Sequence, residues 1–187
     1  MEEKVEKGAT ALVPLGCTGE HIHEDIRTAV KDAFGAEVTV IGRENCRWTG
    51  FDVERRQYAA SDLIECLSPL RAAFERVLGV ASADLSYPGV NHVFGLTDPE
   101  SRISVISLFR FRAKGAPPGK IAQRAIKTAI HELGHSYGLR HCKDHRCVMF
   151  FSFNLADTDY KNREFCKSCM KEISSILKAD ARKRKEV

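Results

Sequence analysis

No stretch of the chain approaches the ~20 consecutive apolar residues that a membrane span needs, so no transmembrane helix is expected. The opening residues, MEEKVEKGAT, are charged and lack the apolar core of a secretory signal. That absence points to the cytoplasm. No inhibitory pro-segment is evident. Charge of one sign is scarce too: the net charge of +4 is milder and less patchy than a dedicated nucleic-acid binder requires. Neither a membrane nor a nucleic acid is therefore expected as a partner. There is no internal repeat and no low-complexity segment, which excludes a solenoid.

The chain does have core-forming material and cysteine. Its 187 residues, 43% hydrophobic and 29% charged, suit one globular domain of two lobes around a cleft, acting as a monomer. Seven cysteines in a reducing compartment mean metal ligation or free thiols rather than a disulfide framework.

The local patterns alternate between strand and helix. Ala9 to Leu15 reads as a buried strand, Glu20 to Phe34 as an amphipathic helix ended by Gly35, and Val38 to Ile41 as a second strand. This β-α-β order favours a right-handed parallel crossover. Asn45 to Val53 reads as irregular. Ser61 to Leu78 carries a helical stripe, with Pro69 forcing a kink or a junction of two helices. Val80 to Leu85 and Val93 to Leu96 read as strand pieces, and Ile103 to Phe111 as the strongest strand in the chain. A helix starts near Pro118 or Lys120 and enters the stretch IHELGHSYGLRHCKDHRCVM, from Ile130 to Met149. From Met149 to Phe165 the chain reads as irregular. A last helix starts around Cys169 and runs through Leu177, before a charged tail expected to fray.

At about 100° per residue, His131 and His135 lie about 40° apart on one helix face. Two neutral imidazoles can therefore meet one ion. Ala122, Ala125, Ile126, Ala129 and Leu133 fall on the opposite face, which is left to pack on a sheet. His141 lies about 240° further round and roughly 9 Å further along a continuous helix. It can return to the ion only if the chain turns sharply, and Gly138 stands where that turn is needed. Three histidines leave a fourth zinc position open, the mark of a catalytic site. Glu132 sits beside the metal without being forced onto it. As general base it can take a proton from water, then as general acid pass it to the leaving amine.

Cys142 and Cys147 form one pair, and Cys166 and Cys169 form a second as a C-x-x-C knuckle. Two thiolate pairs make a closed, structural zinc set. Four thiolates bring that site to −2, and Lys143, Arg146 and Lys167 lie near enough in sequence to offset it. His145, between the first pair, could replace a ligand at either site.

The combined pattern, HELGHSYGLRH followed by C-x4-C-x-M and a later C-x-x-C, resembles the archaemetzincins, a branch of the metzincin zinc peptidases. The segments RRQY (Arg55 to Tyr58), HVFGL (through Leu96) and ISLFR (Ile106 to Arg110) also look like that family. The resemblance implies a zinc-dependent peptidase acting on peptide or protein substrates, with two zincs per chain. It implies a mixed α/β (α+β) fold: a twisted, mainly parallel sheet with one antiparallel edge strand, an active-site helix, and a small zinc-stapled C-terminal lobe. In that frame a single domain 1–187 divides at about residue 138. Met149 would form the Met-turn beneath the catalytic zinc, and Ile103 to Phe111 would be the edge strand above the cleft. The alternative is a non-catalytic two-zinc protein that only holds a peptide or partner.

Among the remaining residues, Tyr137 and Tyr160 are both candidates to stabilise an oxyanion. Arg110 either contacts substrate or braces the cleft. His21 and His23 are read as surface histidines, and Cys17, Cys46 and Cys66 as free thiols.

Overall fold

The computed structural model describes residues 8–42 and 48–185. Strand β1 (Thr10–Leu15) leads through helix α1 (Glu20–Phe34) to β2 (Val38–Val40). The short strands β3 (Phe51–Asp52) and β4 (Gln57–Ala59) precede α2 (Ala60–Leu67). Then follow β5 (Arg76–Ala81), β6 (Leu85–Tyr87), β7 (Val90–Val93), β8 (Gly95–Asp98) and β9 (Ile103–Ser107). Helices α3 (Pro118–Ser136), α4 (Leu155–Tyr160) and α5 (Lys167–Lys185) complete the chain.

The main sheet is five-stranded, in the order β2-β1-β5-β9-β8. Its strands are parallel except β8, which runs antiparallel to β9 at the edge. Alternation along each strand divides the core into two layers. Leu12, Leu78, Val80 and Ile106 pack under α1 and α3, while Val13, Val77, Ala81 and Val105 pack on the α2 side. A second sheet, β3-β4-β6-β7, extends one end.

The edge strand is therefore β8, not the strand expected at Ile103 to Phe111. Every residue of β9 is buried, as suits a strand covered on both faces, whose apolar residues run on instead of alternating. Past Ser107 the chain leaves the sheet and winds into a 3₁₀ turn at Arg110–Gly115.

The stripe from Ser61 to Leu78 also divides differently. Pro69 lacks the N–H a continuing helix would need. The helix stops at Leu67, a 3₁₀ turn spans Ser68–Ala72, and Val77 and Leu78 enter β5. Two expectations near the C-terminus change as well. Residues 155–160 form α4, started by a capping box between Asn154 and Asp157. The last helix begins two residues before Cys169 and continues to Lys185, taking in most of the tail expected to fray.

Helix α5 is tied to the sheet through Arg76. This side chain is 3% exposed, contacts Glu75 at 2.6 Å and Asp180 at 3.2 Å, and stacks its guanidinium 3.4 Å from the centre of the Tyr137 ring. Tyr137 in turn stacks on Phe34 of α1 at 4.8 Å.

Candidate active site and metal centres

The apolar side of α3 behaves as its spacing requires: Ala125, Ala129 and Leu133 are fully buried in the core. The opposite side presents His131 and His135, whose Nε2 atoms lie 3.1 Å apart. Each ring has its Nδ1 within 2.8 Å of a backbone carbonyl, Val148 for His131 and Leu139 for His135. A carbonyl only accepts, so each Nδ1 carries the proton and donates it. Each Nε2 keeps its lone pair for a metal. Burial lowers the pKa of all three histidines, His131 most strongly, and so favours the neutral, ligating form.

Helix α3 ends in a Schellman motif. Leu139 N–H donates to Gly134 O at 3.0 Å, and Gly138 N–H donates to His135 O at 2.8 Å. Gly138 has φ +96°, a left-handed conformation that a side chain would resist. The reversal delivers His141 to the other two imidazoles, with ring centres 5.3 Å from His131 and 4.7 Å from His135. The donor atoms of the three histidines lie within 4.8 Å of one another. Tetrahedral Zn–N bonds of about 2.0–2.1 Å place ligand nitrogens ~3.3 Å apart, so the imidazole set fits zinc. Met149, fully buried, runs under this turn. A Cβ on Gly134 would meet its sulfur at 2.5 Å, so only glycine admits the approach.

Glu132 is held from the sheet side. The Thr97 hydroxyl, on β8, donates to Glu132 Oε2 at 2.7 Å. Gly95 packs so closely that a Cβ there would lie 2.6 Å from Glu132 Cγ and Oε1. Burial pushes the Glu132 carboxyl up to about 7, while the Thr97 hydrogen bond and the Lys161 charge pull it the other way.

The four cysteine sulfurs also lie within 4.8 Å of one another, and those of Cys142 and Cys166 are 3.8 Å apart. Zn–S bonds of about 2.3 Å imply tetrahedral sulfur separations of ~3.8 Å, so this set fits zinc as well. Burial pushes the Cys147 and Cys169 thiols up, whereas the backbone N–H of Cys169 holds Cys166 down. A divalent cation would reverse the first effect. His145 belongs to neither set; its ring packs 4.3 Å from that of Phe150.

The rings of the oxyanion candidates pack against other side chains. Tyr137 is buried between Phe34 and Arg76, and Tyr160 lies outside the cleft against Arg146. Arg110 braces the fold, donating to both carboxylate oxygens of Asp84 at 2.8 and 2.7 Å. His23 is not on the surface: it is buried, 2.5 Å from the Thr18 hydroxyl. Cys66 is disulfide-bonded rather than a free thiol; Cys17 is exposed and not in a disulfide, and Cys46 lies outside the described residues.

Sequence reasoning missed Gly95, Thr97, Ser152 and above all Lys161. Lys161 lines the cleft with His131 and Glu132. Burial lowers its pKa to about 8 against the opposing pull of Glu132. The only local signal was the N-x-x-D capping box, which starts the helix that Lys161 ends.

The sequence model of Peptidase family M54 matches residues 26–175. The archaemetzincin of Pyrococcus abyssi is 38% identical over 181 residues, 91% of this chain and 96% of that protein. That of Methanopyrus kandleri is 40% identical over 124 residues, 66% and 70% of the two chains. The crystal structure of archaemetzincin from Methanopyrus kandleri superposes with a TM-score of 0.83 at 32% identity, covering 95% of this chain and 99% of that one. The archaemetzincin from Archaeoglobus fulgidus, crystallised as a malonate complex, gives 0.78 at 31%, covering 88% and 99%. With the zinc-fitting imidazole set in the cleft, these likenesses lead to one assignment: the chain belongs to peptidase family M54 and is a zinc-dependent peptidase.

Proposed function

We propose that His131, His135 and His141 hold a catalytic zinc and that Glu132 carries the proton in peptide-bond hydrolysis. Cys142, Cys147, Cys166 and Cys169 hold a second, structural zinc. The observation that carries this reading is the convergence of three imidazoles, two of them with Nε2 left for a metal, beside a buried carboxylate on a cleft wall.

When bound, the first zinc supplies Lewis acidity, polarising the scissile carbonyl and acidifying water. Glu132 does the rest of the proton chemistry. Its Oε2 is engaged by Thr97, which leaves Oε1 to take the proton from the attacking water. The same oxygen then returns it to the leaving amine. Met149 packs beneath the histidines as a floor, without ligating. Substrate extends along the outer edge of β8, adding to the sheet by backbone hydrogen bonds. In this frame residues 1–187 form one catalytic domain, with lobes of about 1–138 and 139–187 facing each other across the cleft.

Zinc analysis of the purified chain should find two equivalents. A hydroxamate should bind it and block peptide cleavage, and a chelator that removes the histidine-held equivalent should abolish turnover. Two zincs with neither hydroxamate affinity nor cleavage would sink the reading and favour a non-catalytic binding protein.

The close approach of Gly95 provides a second check. In Gly95→Ala the new methyl must displace the Glu132 side chain. Misplacing a catalytic group by about 1 Å can cost on the order of 100-fold. We expect kcat/KM to fall about 10- to 100-fold, with zinc content unchanged. An undiminished kcat/KM would mean that the position of Glu132 does not matter.

A further inference from the structure

We propose that Lys161 reads a carboxylate on the substrate residue that bears the newly formed amine. This inference rests on the peptidase reading above and extends it to a substrate class.

Beside Glu132 a cavity of about 300 Å³ opens between the β7–β8 segment and residues 151–153. That is the low end of the range for ligand pockets. Val93, Phe94 and Phe151 form its apolar walls, and the polar residues Lys161 and Ser152 also line it.

Both polar groups are under-satisfied. Lys161 is 3% exposed, and its ammonium donates to Phe150 O at 3.0 Å. His131 Nδ1 lies 3.5 Å away, but its own proton already goes to Val148 O, so it offers no lone pair. Among the described residues no carboxylate comes within ion-pair distance of Lys161. An ammonium has three donors, and protein acceptors at ordinary length use one. Among the described residues Ser152 Oγ, buried, has no hydrogen-bond partner. A buried charge and a buried hydroxyl left this way are costly, and a carboxylate entering the cavity would satisfy both.

The chemistry also says which substrate residue enters. Glu132 hands its proton to the leaving amine, so the amine-bearing residue lies on the Glu132 side of the scissile bond. The cavity lined by Glu132 and by Thr128, one helical turn earlier, takes that residue. Its carboxylate comes from an aspartate or glutamate side chain, or from the free C-terminus when that residue is the last.

The test uses the zinc-loaded full chain and matched peptides carrying Glu, Gln or Leu after the cleaved bond. A further pair ends at that residue as free acid or as amide. Binding of the same peptides is measured by fluorescence anisotropy on the zinc-loaded Glu132→Gln protein. We expect Glu to exceed Gln by at least ~tenfold in kcat/KM, a modest value for a site whose buried polar groups reject an analogue lacking their partner. The binding ratio should point the same way. The acid–amide pair assigns the source of the carboxylate. In Lys161→Met the Glu/Gln ratio should collapse toward one in kcat/KM and in binding alike; a ratio cancels any change the lost charge makes to Glu132, which acts on every peptide equally. A wild type indifferent to the carboxylate, or a Lys161→Met variant that weakens all peptides alike, would overturn the proposal and leave Lys161 as a brace for Phe150. If no peptide is cleaved, the peptidase reading falls, and the binding ratio still decides the role of Lys161.

Discussion

Replacing Glu132 by glutamine is expected to lower kcat/KM for any cleaved peptide by about 10³-fold or more while leaving zinc at both sites. Glutamine keeps the volume and still offers an oxygen to the Thr97 hydroxyl, which lies 2.7 Å from Glu132 Oε2. What it removes is the proton acceptor at the second oxygen. Positioned acid–base groups contribute about 10²–10⁴-fold, and in the proposed mechanism one group serves both halves of the reaction, so the upper part of that range applies. The proposed metal donors are the three imidazoles, none of which glutamine disturbs. Zinc content and hydroxamate affinity should therefore survive. Steady-state kinetics alongside metal analysis check both halves. Full activity in the variant would remove Glu132 from the mechanism, and loss of zinc would make it a ligand instead of a base.

The histidine and cysteine residues were legible because metal ligation demands specific side chains at specific spacings. The i, i+4 pair on α3, the glycine reversal and the two cysteine pairs come together in space as their geometry requires. The supports around them were not legible, and the reasons differ. Gly95 and Thr97 sit on a four-residue strand whose burial is intermediate throughout, too short for an alternating pattern to register. Lys161 follows a six-residue helix in a polar stretch, where lysine normally means solvent; its burial comes from the fold of 150–165 back under α3. The edge-strand assignment failed for another reason. The apolar run at Ile103 to Phe111 marks an interior parallel strand, and the edge role falls to its more polar neighbour β8.

Replacing Cys166 and Cys169 together by serine is expected to weaken zinc binding at the histidines by about tenfold or more, though neither residue touches that ion. The path runs through backbone. Cys166 N–H donates to Cys147 Sγ at 3.3 Å, and Glu164 O accepts from Val148 N–H at 3.0 Å. Val148 O in turn fixes the His131 ring at 2.8 Å. One residue on, Met149 O accepts from Cys142 N–H at 3.0 Å, and Cys142 is the immediate neighbour of His141. Cys142 also forms a bridge with Phe150. A zinc held by the four sulfurs, as proposed, would clamp the segment that orients one histidine and carries the backbone of another. Losing such an orienting partner typically costs 10- to 100-fold in metal affinity. Structural zinc also contributes folding energy directly, so the thermal midpoint should fall as well. Competition with a chromophoric chelator measures the histidine-site affinity. Unchanged affinity there would cut the coupling. The companion variant Cys166→His keeps a zinc-competent donor in a Cys₃His set. It should restore most of the lost affinity, and failure to do so would place the coupling in the thiol's packing instead of in the ion.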